Sequence, residues 1–192
     1  MTALLLGLVF VAVTLVRSFW LWHTDGVNPY VIDHRDPLFR FVGQVFATVV
    51  GALIVYCLTI AIQPEMEQAL GLITWANVDG TRWAGATLMA TAIVWTAYAQ
   101  FAMGSSWRIG IPEEATALRT HGPFALSRNP IFLGMLAFVA GLTIWSPSAV
   151  TLALLVATYI SLEVQVRSEE AFLEGAHGQS YRDYRARVRR WI

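Results

Sequence analysis

The sequence predicts an all-α integral membrane protein of about five transmembrane helices, and three observations predict it. Of 192 residues, 56% are apolar and only 14% charged, with a mean hydropathy of +0.54, too greasy for a soluble domain. The apolar residues gather in five runs near the length that crosses a bilayer. All the basic side chains other than histidine are arginines, and they crowd particular intervening segments. Net charge is zero, so no overall basic field argues for a nucleic-acid partner. The whole chain, 1–192, reads as one membrane domain, with three spans in 1–103 and the remainder in 104–192.

The spans fall at about 3–22, 38–63, 83–103, 130–145 and 148–166. The first is interrupted only by Arg17 and Ser18 and lacks both a basic leader and a small-residue cleavage signal, so it reads as a retained helix. The segment after the second span carries Glu65, Glu67 and Asp79 against one basic residue, Arg82. By contrast the first loop holds Arg35 and Arg40, the linker 104–129 holds Arg108, Arg119 and Arg128, and the tail holds Arg182, Arg185, Arg187, Arg189 and Arg190. Arginine collects on the cytoplasmic side, which places these three segments inside and the N-terminus outside. "WSPS", Trp145 to Ser148, is too short for an excursion, so the fourth and fifth spans form a tight helical hairpin, each short for a full crossing.

Other conspicuous residues are accounted for without chemistry. Cys57 lies in an apolar run as a small core residue. Trp20, Trp22, Trp83, Trp107, Trp145 and Trp191 lie near span ends, where indoles anchor to headgroups. His23, His34, His121 and His177 occupy loops or ends without pairing at helical spacing, which gives no support to a haem or a metal site.

One stretch resists that treatment. In "LRTHGPFALSRNPIFLG", Leu118 to Gly134, Gly122-Pro123 turns the chain, Ser127 is placed to cap, and Pro130 suits a first helical turn. A helix therefore begins near Asn129 with Arg128 at its mouth. Free amides beside a guanidinium suit a carboxylate or phosphate, although Arg128 could equally snorkel to headgroups. The fifth span then continues as "SLEVQVRSEEAFLEGAHGQSYRDYRARVRRW". Glu163, Arg167 and Glu170 share one helical face, Glu169 points about 100° away, and Gly175 and Gly178 break the helix. The Arg-rich tail beyond reads as a surface helix drawn to anionic lipid.

Together these two stretches resemble the C-terminal signature of the isoprenylcysteine carboxyl methyltransferase family, which includes phospholipid methyltransferases of similar layout. Its pattern falls on Leu118, Gly122, Phe124, Arg128, Asn129, Pro130, Phe132, Glu170, Gly178, Tyr181 and Tyr184, and "GSSWRIG", Gly104 to Gly110, resembles the preceding stretch. The chain departs from it twice, with Asn129 where the family has histidine and His177 where it has phenylalanine.

The resemblance implies S-adenosylmethionine as methyl donor and a lipophilic or small acceptor: an isoprenylcysteine carboxylate-like group, a phospholipid amine or a thiol. It implies Arg128 and Glu170 as catalytic residues and, with them, Leu118, His121, Gly122, Phe124, Asn129, Pro130, Phe132, Glu169, Tyr181 and Tyr184 as the cofactor-binding set, in a cofactor-binding half 104–192 beside an acceptor side 1–103. Arg128 suits the cofactor carboxylate, Glu170 a ribose diol, and the faces of Phe124, Phe132, Tyr181 and Tyr184 a sulfonium. An amine acceptor would need deprotonation, for which Glu169, Glu170 and His121 stand in the stretch. Two other readings remain open on the residues alone, an NADPH-dependent reductase of the sterol-reductase kind and a non-catalytic membrane protein.

Overall fold

The computed structural model describes residues 1–25, 37–104 and 117–192; His34, Arg35, Trp107, Arg108 and the "GSSWRIG" stretch after its first glycine lie outside them. The described residues are helical with no strand, in the order α1 Thr2–Asp25, α2 Pro37–Ile62, α3 Met66–Ala69, α4 Asp79–Met103, α5 Pro130–Trp145, α6 Ala149–His177 and α7 Gln179–Arg187. Helices α1, α2, α4 and α6 are long and apolar enough to cross a membrane, and α5, at 16 residues, is a shorter apolar helix. Large apolar side chains such as Leu5, Val16, Phe19, Val55, Val94 and Ile160 lie on the outside, as they do where lipid is the solvent. The chain is an integral membrane protein.

Between lipid-facing helices the hydrophobic effect is weak, and close backbone approach replaces it. Helices α4 and α5 form the closest pair in the bundle. A Cβ at Gly85 would run into backbone atoms of Gly141 and Trp145, and one at Gly141 into Met89. The Trp95 indole then fixes the far end of the pair, donating to the Pro130 carbonyl at 2.7 Å. Around this pair the core gathers Tyr56, Met89, Phe138, Leu142 and Trp145.

The hairpin forms, but only α5 is short, since α6 at 29 residues is long enough to cross a membrane; Ser148 caps α6, its hydroxyl accepting from Thr151 N while Thr151 Oγ1 accepts from Ser148 N. Tyr56, Ser146 and Glu67 bond across this end, and Glu67 pairs with Arg82 at 2.9 Å. Three further expectations are corrected. Trp145 is no headgroup anchor but a buried ring with the Arg82 guanidinium 5.1 Å from its centroid. Trp191 instead donates to Glu163 at 3.0 Å. Gly175 does not break α6, which runs unbroken for 29 residues until Gly178, at φ 54°, ends it. A lone glycine costs a helix only about 1 kcal/mol, less than its neighbours' hydrogen bonds supply.

Candidate functional site

At the end of the bundle opposite the hairpin, the start of α5, the extension of α6, α7 and the tail converge. The chain reaches α5 through a 3-10 turn, Gly122–Ala125, which buries Phe124. Pro130 opens α5 as expected, with Asn129 at the N-cap. The expected cap is corrected in detail: Ser127 Oγ accepts from Asn129 N at 3.1 Å, and its own proton goes to the Arg190 carbonyl at 3.0 Å. The tail backbone thus lies against the mouth of α5.

Arg128 and Glu170 form the centre. Arg128 Nη2 donates to Glu170 Oε1 at 2.6 Å and Nε to the same oxygen at 3.3 Å, while Nη1 donates to the Val188 carbonyl at 2.6 Å. Arg190 approaches Glu170 from the tail, with Nη2 to Oε2 at 2.8 Å and Nε to Oε1 at 3.1 Å. Its remaining arm reaches Glu163 Oε2 at 3.1 Å, where Arg167 also pairs. The side chains of Arg128 and Glu170 are only 9% and 10% exposed, so the pair is shielded from water, where charge-assisted bonds are strong. Glu170 in turn holds Arg190 firmly in its charged form.

Around this centre, Tyr184 OH donates to the Phe124 carbonyl at 2.6 Å, and burial pushes its phenol up to about 12. The Tyr181 ring meets that of Tyr184 at 6.2 Å between centroids. Tyr181 is 1% exposed, and its phenol is pushed up by burial and by Glu170 against the pull of Arg128. Asn129 Nδ2 donates to the Arg190 carbonyl at 3.3 Å. Tyr181 OH and the ring atom Nε2 of His177 are buried with no hydrogen-bond partner among the described residues. His177 lies two turns beyond Glu170 on the same face of α6.

The structure therefore brings together Phe124, Arg128, Asn129, Glu170, Tyr181 and Tyr184. Leu118, His121, Gly122, Phe132 and Glu169 take no part in the hydrogen-bonded cluster: His121 is exposed beside Thr120, Phe132 and Leu118 are half-buried, and Glu169 accepts from Gln165 at 3.0 Å. Pro130 takes part only through its carbonyl, which binds Trp95. Sequence reasoning missed Arg190, Val188 and His177. Five arginines in twelve residues read as a lipid-facing surface, and only the carboxylates of α6 hinted that one of them had a buried partner.

A family model of phospholipid methyltransferases matches residues 81–180, just over half of the chain. The chain belongs to the phospholipid methyltransferase family. This family implies a membrane methyltransferase, as the isoprenylcysteine methyltransferase-like signature led one to expect. The match runs from the first turn of α4 through Arg128, Glu170 and His177 and ends before Tyr181 and the tail. Nothing among curated proteins or solved structures matches the chain.

Proposed function

We propose that this membrane methyltransferase takes its methyl group from S-adenosylmethionine and passes it to a lipophilic or small acceptor reached from the bilayer. The observation that carries the reading is the buried Arg128–Glu170 pair with Tyr181 OH beside it, near the Arg128 guanidinium but without a well-aligned hydrogen bond. His177 Nε2, two turns further along α6, is also buried without a partner among the described residues. Orphaned buried polar groups are costly, and a polar ligand relieves that cost. The donor set fits the cofactor: a guanidinium for its carboxylate, a carboxylate for its ribose, and aromatic rings for its cation. When bound, S-adenosylmethionine supplies an electrophilic methyl on a sulfonium.

The residues of this chain bind, orient and exclude water. Arg128, Glu170, His177 and Tyr181 would hold the polar groups, with Phe124 and Tyr184 behind them. Glu170 offers a carboxylate oxygen to a ligand only as Arg190 lets go, so the tail is the movable partner. Alignment of donor and acceptor carries such a transfer. A carboxylate or thiolate acceptor needs no base, whereas an amine would turn to His121, Glu169 or Glu170. The arginine-bearing end faces the cytoplasm, where a soluble nucleotide is available.

Calorimetry on the detergent-solubilised chain tests this. Binding of S-adenosylmethionine and of its demethylated product, with no binding of NADPH, is expected. NADPH binding alone would make the chain a reductase, and binding of none of the three would leave a non-catalytic protein. Radiolabelled methyl incorporation into membrane extracts then identifies the acceptor.

A further inference from the structure

Helix α7 ends at Arg187, and the chain leaves it extended, with Val188 at φ −120° and ψ 131°. The next residues lie along the mouth of α5 and bind it one after another. The Val188 carbonyl accepts from Arg128 Nη1 at 2.6 Å, the Arg189 carbonyl from Arg128 N at 3.0 Å, and the Arg190 carbonyl from Ser127 Oγ at 3.0 Å and Asn129 Nδ2 at 3.3 Å. Two side chains fasten the same segment to α6: Arg190 reaches both oxygens of Glu170 and one of Glu163, and the Trp191 indole donates to Glu163 at 3.0 Å. Residues 188–191 thus lie as a strap across the Arg128–Glu170 pair.

The strap occupies the very groups that would hold a ligand. Arg190 donates to both carboxylate oxygens of Glu170, at 3.1 Å and 2.8 Å. Arg128 Nη1 donates to the backbone carbonyls of Val188 and, at 3.4 Å, of Arg185. A guanidinium N–H on a carboxylate plays the part that a ligand hydroxyl would play there, and a carbonyl oxygen on a guanidinium plays the part of a ligand carboxylate. Donor for donor and acceptor for acceptor, the strap matches the polar ends of the proposed methyl donor. The Arg190 side chain is 29% exposed, against 9% for Arg128 and 10% for Glu170, so it covers the pair from the side that water reaches. A half-exposed ion pair gives way at less cost than a buried one.

We infer that residues 188–191 are an autoinhibitory strap, which competes with the methyl donor for Arg128 and Glu170 and comes away when the donor binds. The inference rests on the reading of this cluster as the donor site. Binding is then an exchange: each hydrogen bond that the strap gives up is replaced by one of the same kind from the ligand, and the strap-free fraction scales the measured affinity. Tyr184 stays tied to the Phe124 carbonyl at 2.6 Å, which keeps α7 docked and places the hinge at Val188.

Two measurements on the full chain in detergent test it. For the first, Cys57, the single cysteine, is replaced by Ala, and a spin label is attached through Arg189→Cys, a position whose side chain is exposed on the strap. The label should be held in the ligand-free protein and become mobile with saturating S-adenosylmethionine or its demethylated product. Adding Arg190→Gln should free it without any ligand. By calorimetry, Arg190→Gln should bind S-adenosylmethionine about tenfold more tightly than the parent, the scale of one charge-assisted contact, and Trp191→Phe should shift affinity the same way by less. Unchanged or weaker binding by Arg190→Gln would overturn the strap, as would a label already mobile without ligand or still held with ligand bound. The label alone decides the matter should Arg190→Gln fail to fold. Failure of the donor reading looks different: neither parent nor variant would then bind S-adenosylmethionine, and the competition would fall with it.

Discussion

Arg128 and Glu170, 42 positions apart in sequence, meet at 2.6 Å and close the mouth of α5 against the extension of α6. Glu170 is the counter-charge of Arg128 and is shared with Arg190, in a place that water hardly reaches. The residues best suited to hold a ligand are therefore also a structural clasp, and their substitution reads out in stability as well as in binding.

Arg128→Ala should lower stability by about 1–3 kcal/mol, because the buried Glu170 loses the bonds from Arg128 and keeps only those from Arg190. Arg128→Met combined with Glu170→Met should recover most of that loss, since no charge is then stranded. Thermal denaturation checks both. S-adenosylmethionine affinity should be lost in the double variant despite its recovered stability; retained affinity would make the pair structural alone.

Tyr184→Phe leaves the buried Phe124 carbonyl without its donor at 2.6 Å, which should cost about 1–3 kcal/mol. The sign with pH follows from the raised phenol, which ionises at about 12 in the fold against 10.0 ordinarily. The stability contributed by Tyr184 is complete below pH 10 and disappears as pH rises through 12. Melting curves of parent and Tyr184→Phe should accordingly converge over that window.

Gly141→Leu should be far more damaging than Gly51→Leu. The first drives a side chain into Met89 and the Gly85 carbonyl, whereas a Cβ at Gly51 meets nothing within 4 Å. Overpacking costs about 1–3 kcal/mol or more, so Gly141→Leu should lower the melting temperature and Gly51→Leu leave it nearly unchanged.

Asn129→His should retain much of the activity. The Asn129 side chain donates to the Arg190 carbonyl at 3.3 Å, and an imidazole N–H can do the same. The pH–rate profile should change little near neutrality. A new limb at about pH 6–7 in single-turnover rates would show that a proton, and not a hydrogen bond, matters at this position.

Reporter fusions after Gln63 and after Ile192 should report opposite faces of the membrane, with the latter cytoplasmic. The same face for both would break the alternation of five spans.

The fold was legible because lipid imposes a simple rule: a backbone that crosses it is helical and its side chains apolar, so the starts of the long helices follow from hydropathy to within a few residues, whereas the end of α6 at His177 lies well past the apolar run. The hairpin was legible because a proline between two serines leaves few geometries. The mouth of α5 was half legible. Pro130 and Arg128 announce a helix start with a charge, yet nothing local says that Arg128 would find Glu170 rather than headgroups. Arg190 was illegible, since five tail arginines look alike in sequence and only tertiary distance selects one. His177 was equally silent, because an unpartnered atom exists only once its neighbours are in place.

The unequal lengths of α5 and α6 set the register of the Arg128 cluster. From their shared turn, α5 rises only about 24 Å and α6 about 44 Å, against a hydrocarbon layer of about 30 Å. Arg128 stands at the foot of the shorter helix, and the last turns of α6, with α7 and the tail, extend past it. Removing one turn of α6 ahead of Glu170 would draw that carboxylate about 5.4 Å towards the hairpin and out of reach of Arg128.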